Sequence, residues 1–197
     1  MSVFKTVKKV GEGLYKEKGS KFLGFIFPCP SEDEAKSILN QLRSEHHLAV
    51  HVCYAFRFGA EKKQFRASDD GEPSNSAGPP ILGQIQSFDL TNVLVAVVRY
   101  YGGTNLGVGG LINAYRTAAK EAIENTEIIN DEEQIKIQVS FTYEDLPKVM
   151  KLIKSHNCII SEQLIDQNCV FKINNPVSNK LLLMQLKGIQ GLELKEI

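Results

Sequence analysis

Net charge is the first thing this sequence lacks. Its 197 residues carry 23 Lys+Arg against 23 Asp+Glu, so no global field draws the chain to nucleic acid or to an anionic membrane, and any polyanion binding has to come from a local patch. Long apolar runs are missing too. None approaches the ~20 residues of a membrane span, and the opening MSVFKTVKKVGEG has no apolar core of a secretory signal. The reading is a soluble, cytoplasmic chain with no membrane partner. Cysteine is scarce and patternless: Cys29, Cys53, Cys158 and Cys169 form no CxxC pair and have no histidine at metal-ligand spacing. Each lies in or beside an apolar run, where a reduced thiol acts as a small hydrophobe. A Gly-x-Ser-x-Gly elbow and a Cys-His pairing are also missing, which leaves no certain nucleophile. No cofactor is implied.

What is present is an ordinary globular composition, 43% hydrophobic and 23% charged. Two hydrophobic patterns meet near Asn130 and predict two domains, 1–130 and 131–197. In the second, Ile135, Ile137, Val139 and Phe141 alternate with polar residues at the period of a half-buried strand. Leu146, Val149, Met150 and Ile153 follow at helical spacing, with Pro147 tolerable in the first turn. Residues 158–165 and 167–173 read as a hairpin turning near Asp166. Asn175-Pro176 opens a second helix that ends at Gly188, and a strand at 192–194 closes the chain. The order β-α-β-β-α-β is the ferredoxin-like split unit.

The first domain reads as strands at 3–10 and 22–28 joined by a Gly/Lys-rich turn, then a helix capped by Ser31 with Glu34 three residues on. A strand at 48–58 follows, then a long polar loop at 61–80 and a short helix at 81–86. The apolar run 93–101 predicts a strand buried on both faces, and 107–124 a helix entered through glycines. The fold class is α+β.

Three constellations carry chemistry. Asp69, Asp70 and Glu72 crowd three carboxylates into four residues, a repulsion that a cation, a basic side chain or a proton must relieve. The spacing is not that of an EF-hand, and no metal is assigned. Arg99-Tyr100-Tyr101-Gly102-Gly103, with Gly107, Gly109 and Gly110 behind, links the buried strand to a helix. Such glycines let backbone N–H groups approach an anion at the helix N-terminus, although neither a Walker A loop nor a dinucleotide fingerprint is formed. The guanidinium and paired tyrosines are the equipment of a binding surface. His51 stands on a strand, where a hydrogen-bonded core histidine is the commoner role. His46 and His47, at a helix C-terminus, receive no chemistry.

Together these segments resemble the IMPACT family. The likeness runs through His51, Asp69-Asp70-Gly71-Glu72-Pro73, Ala77-Gly78, Pro80-Ile81-Leu82, and above all Val97-Val98-Arg99-Tyr100-Tyr101-Gly102-Gly103 with Leu106-Gly107 and Gly109-Gly110-Leu111. The domain order is similar to that of the family's bacterial YigZ branch. The resemblance implies a first domain like domain 2 of a small-subunit ribosomal protein and a second like the last domain of a translocation elongation factor. Two departures stand out. Ser74-Asn75-Ser76 replaces the family's Ser-Gly-Thr, with Pro79 where relatives carry a basic or bulky residue, and Asn113 replaces an arginine.

The resemblance implies a non-enzymatic binding protein in translation or its regulation, with RNA, the ribosome or a translation-associated protein as partner. Arg99, Arg116, Tyr100, Tyr101 and Tyr115 are the candidates to meet phosphates and bases, with Lys16, Lys18 and Lys21 adding local charge. The alternative is a small-ligand or phosphate-binding enzyme with His51, Asp69, Asp70, Glu72 and Arg99 converging in a cleft. Eukaryotic family members modulate a translational stress-kinase pathway through a preceding partner-binding domain, which this chain is expected to lack.

Overall fold

The computed structural model describes residues 3–197; Met1 and Ser2, which open the first predicted domain, lie outside them. The chain divides into two compact units, residues 3–131 and 132–197. The first runs β1 (Val3–Val7), β2 (Gly11–Glu17), β3 (Ser20–Pro28), α1 (Glu32–Glu45), β4 (His51–Phe58), β5 (Gln64–Ser68), α2 (Gly78–Ser87), β6 (Val93–Tyr100), α3 (Gly107–Glu124) and β7 (Ile128–Glu132). Five of these strands form an antiparallel sheet in the order β2-β3-β6-β4-β5, and β1 pairs with β7 in a separate ribbon.

The central strand β6 explains its continuous apolar sequence. Val93, Val95 and Val97 pack with Ile81 and Ile85 of α2 and with Ala114, Tyr115, Ala118 and Ala122 of α3. Leu94, Ala96 and Val98 point the other way, into a cluster with Ala35, Leu39 and Leu42 of α1. Alternation along one strand thus feeds two cores, and the unit has three layers. Helix α1 begins as its sequence predicts, with the Ser31 hydroxyl accepting from the Glu34 amide at 3.3 Å.

Three local readings change. The Gly/Lys-rich turn is mostly β2, and its glycines serve packing rather than bending. A Cβ on Gly13 would stand 2.6 Å from the Ala122 nitrogen, and one on Gly24 of β3 would run into the Ala118 carbonyl oxygen. Helix α3 therefore lies directly on the backbone of β2 and β3. It also caps the outer edge of β2: Leu14 donates its N–H to Glu121 Oε2 at 3.1 Å, and Asn125 donates to the Glu12 carbonyl at 2.8 Å. Within the loop 61–80, β5 is an edge strand. Helix α2 starts at Gly78 because Pro79 and Pro80 occupy its first turn, where no intrahelical amide partner is lost.

The second unit runs β8 (Gln134–Thr142), a 3₁₀ turn (Tyr143–Asp145), α4 (Leu146–Ser155), β9 (Ile159–Leu164), β10 (Asn168–Pro176), α5 (Lys180–Lys187) and β11 (Glu193–Glu196). Its antiparallel sheet has the order β11-β8-β10-β9, the βαββαβ arrangement of a ferredoxin-like fold. Val149 and Ile153 of α4 and Leu182 and Leu186 of α5 cover Val139, Phe141, Phe171 and Ile173. Asn175 and Pro176 extend β10 instead of opening the second helix, whose cap is Asn179, accepting from the Leu182 amide at 3.4 Å. No helix among the described residues is long and apolar enough to cross a membrane.

The close approach of α3 makes a signed prediction. Gly24→Ala, facing backbone that cannot move aside, lowers stability in urea titration by about 3 kcal/mol or blocks folding. Gly83→Ala, inside α2 with open space around it, raises stability by about 0.5–1 kcal/mol. Equal effects at the two positions contradict the packing argument.

Candidate functional site

The strand ends decide what can meet. His51 opens β4, Arg99 and Tyr100 end β6, and the register places His51 opposite Arg99. The acidic turn follows β5, which pairs with β4, so it returns to the same end of the sheet. There each carboxylate finds a different partner. Asp69 accepts from the Asn75, Ala77 and Gly78 amides at 2.8, 2.9 and 2.8 Å. It thereby caps α2 from nine residues away, where Ala77 offers no side-chain cap. Asp70 pairs with Arg43 of α1 at 3.0 Å and accepts from the Val52 amide at 2.7 Å. Glu72 is buried, and its Oε1 accepts from Arg99 Nη1 at 2.5 Å and from the Tyr115 hydroxyl at 2.7 Å.

Arg99 is itself buried, its guanidinium 5.5 Å from the centroids of both the Phe22 and Tyr101 rings. Among the described residues its Nε finds no hydrogen-bond partner. Its charge is spent inside the fold, on Glu72 and on two aromatic faces. His51 donates from Nδ1 to the Asp70 carbonyl at 2.7 Å, and its Nε2 lies 4.0 Å from Glu72 Oε1. Tyr115, considered above for base stacking, has no exposed surface, because α3 turns that face to the sheet. Burial, reinforced by Cys53 and Glu72, pushes its phenol up. Burial likewise pushes the Cys53 thiol up, with Glu72, Asp70 and Asp69 adding to it, so this cysteine is held as the thiol rather than as the nucleophilic thiolate. All four cysteines are free. Among the described residues, no group of three or more His, Cys, Asp or Glu is arranged to hold a metal ion.

The glycines divide by task. Gly102 lies against the backbone of Gly19 and Ser20, and its amide donates to the Ser20 hydroxyl at 3.0 Å. Gly103 and Gly107 adopt positive φ, 83° and 71°. Gly109 faces open space, while Gly110 packs against Leu106. The acidic turn and the end of β6 thus meet through a buried ion pair, and two grooves lie nearby. One, of about 240 Å³, is lined by Arg43, His46, His47, His51 and Asp70. The other, of about 540 Å³, is lined by Leu14, Lys16, Gly19, Lys21, Leu23, Tyr100 and Tyr101. Tyr100 bonds to His46 Nδ1 at 2.8 Å, and Tyr101 stays half exposed over Arg99. Arg43 and Ser20 had no signal in the sequence, since each is recognisable only from the distant group it meets.

Removing half of the buried pair strands the other half. Glu72→Gln is expected to cost about 3–5 kcal/mol in urea unfolding. Adding Arg99→Met recovers part of that loss, because the orphaned charge goes while the introduced side-chain amide still accepts from Tyr115. Additivity of the two substitutions to within about 0.5 kcal/mol is the result that excludes coupling.

Comparison with known proteins matches residues 18–123 to the Impact N-terminal domain. The chain is 29% identical over 167 residues to the IMPACT family member YvyE of Bacillus subtilis (strain 168), an alignment that spans 85% of this chain and 77% of that protein. A solved structure described as that of an hypothetical protein matches 100% of this chain and 98% of its own, with 25% identity and a TM-score of 0.77. A structure described as the two-domain translational regulator Yih1 is 27% identical over 62% of this chain and 47% of its own, with a TM-score of 0.37, too distant to carry a structural argument. Because the matched domain takes in more than half of the sequence, including the acidic turn and Arg99, the chain belongs to the IMPACT family.

Proposed function

We propose that the protein acts by binding in translational control, with RNA or the ribosome as its partner and the cytoplasm as its place of work. The observation that carries the binding reading is that the charges of the acidic turn and Arg99 are engaged within the fold. Asp69 caps a helix, Asp70 holds Arg43, and Glu72 and Arg99 neutralise each other out of water. A general acid or base must reach its substrate, and an anion clamp must keep its charge free for a ligand. These groups instead tie the acidic turn to α1, α2, α3 and the ends of β4 and β6, which makes a rigid platform. Beside that platform lies the groove of Lys16, Lys21, Tyr100 and Tyr101, a local cationic and aromatic surface on a chain with no net charge. The role in translation rests on the family's likeness to a ribosomal-protein domain and an elongation-factor domain, and it agrees with the role stated for Yih1.

The test is retention of the purified protein on ribosomal particles and on single-stranded RNA. Retention at about 50 mM salt and release by about 200 mM are expected if phosphate contacts dominate. No retention on either at low salt overturns the proposal.

A further inference from the structure

Seven described residues other than glycine adopt positive φ, and five of them are Asn or Asp, whose short polar side chains bond locally and tolerate that backbone. The other two are lysines, Lys18 at φ 46° and Lys62 at φ 59°. Lys62 is accounted for within the fold, since its ammonium sits 2.5 Å from Asp89 Oδ1. Lys18 has no such partner. It is exposed, and it takes part in no ion pair among the described residues.

Lys18 and Gly19 are the two central residues of the β2–β3 hairpin, in which Glu17 faces Ser20. Positive φ at both is the pattern of a type I′ turn, for which Asn-Gly is the favoured pair. A second unfavourable choice stands next to it. Lys16 and Lys21 are direct cross-strand partners, and like charges placed opposite each other destabilise a sheet. Neither takes part in an ion pair among the described residues. The one carboxylate within the hairpin's tip, that of Glu17, alternates to the other face and accepts from Tyr15 at 3.2 Å. Three lysines are therefore gathered on one short hairpin against its own stability, and a strained residue that the fold does not explain points to a ligand.

The neighbours identify that ligand's chemistry. Lys21 lies opposite Tyr100 across the β3–β6 register, and the groove that both line, with Tyr101, contains no acidic side chain among the described residues. Lysines and tyrosines sharing one groove match a polymer that alternates phosphates with flat rings. Resting on the RNA-binding reading above, we infer that this hairpin is the binding arm for single-stranded RNA. Lys16, Lys18 and Lys21 take its phosphates while unpaired bases lie in the groove against Tyr100 and Tyr101. A duplex hides its base faces in the stack and fits poorly. The Gly102–Ser20 bond clamps the hairpin that carries the lysines to the end of β6 that carries the tyrosines.

Lys18→Asn tests this because it relieves the turn while removing the charge. The unit of residues 3–131 in Lys18→Asn should melt about 2–4 °C higher than wild type. Its affinity for a fluorescent oligoadenylate should fall several-fold at low salt, with the slope of log K against log salt flattened by about 0.7. Lys21→Gln should flatten that slope equally, and wild type should prefer the single strand to an RNA duplex of equal charge. Raised melting temperature with unchanged RNA affinity and slope overturns the binding arm and leaves the RNA reading to another surface. A lowered melting temperature removes the strain argument, and equal binding of the duplex removes the stacking role. Failure of wild type to bind any RNA or ribosome defeats the arm and the broader reading together.

Discussion

The end of the first unit's sheet is organised by one buried ion pair, Glu72 with Arg99. Two charges withdrawn from water are tolerable only when each is satisfied by the other and by hydrogen bonds. That requirement fixes where the acidic turn can sit. Glu72 needs Arg99 and the Tyr115 hydroxyl, so the loop after β5 must fold back over the ends of β4 and β6 and against α3. Asp70 and Asp69, carried along, then meet Arg43, the Val52 amide and the start of α2. The repulsion among the three carboxylates is resolved by giving each a separate cationic or amide partner.

A consequence is that Glu72 and Arg99, the two charges at the centre of the network, are withdrawn from solvent. Arg99 lies between two rings, and Tyr101, one of those rings, reaches the surface. The glycine-rich segment follows the same logic. Gly102 allows the β2–β3 hairpin to lie against the end of β6, coupling a lysine-bearing hairpin to a tyrosine-bearing strand. A loop that reads as an anion cradle is in part a packing joint between two backbones.

Glycine misleads in the same way elsewhere. Gly11 and Gly13 look like turn formers in sequence, yet they sit in β2 because α3 needs bare backbone to approach. Pro79 and Pro80 look like loop residues, yet they enter the first turn of α2, the one helical position that does not need their missing amides. Asn175-Pro176 resembles a helix start, but strand pairing with Ile135 and Gln134 claims both residues. In each case the local signal was genuine, and a partner distant in sequence determined its use.

The elements with strong periodicity were determined by sequence alone. Alternation marks β8, the unbroken apolar run marks β6 as a strand buried on both sides, Ser31 marks the start of α1, and the spacing of apolar residues marks α4. The order of elements likewise gives the α+β class and the βαββαβ unit, since period and turn chemistry are properties of neighbouring residues. Only tertiary structure decided which charges remain free. Asp69, Asp70, Glu72 and Arg99 are ordinary solvated ions as far as their neighbours in sequence can tell. Arg43, Arg99 and Tyr115 approach the acidic turn only because strands and helices far apart in the chain end at the same place, and charge pairing depends on distance in space.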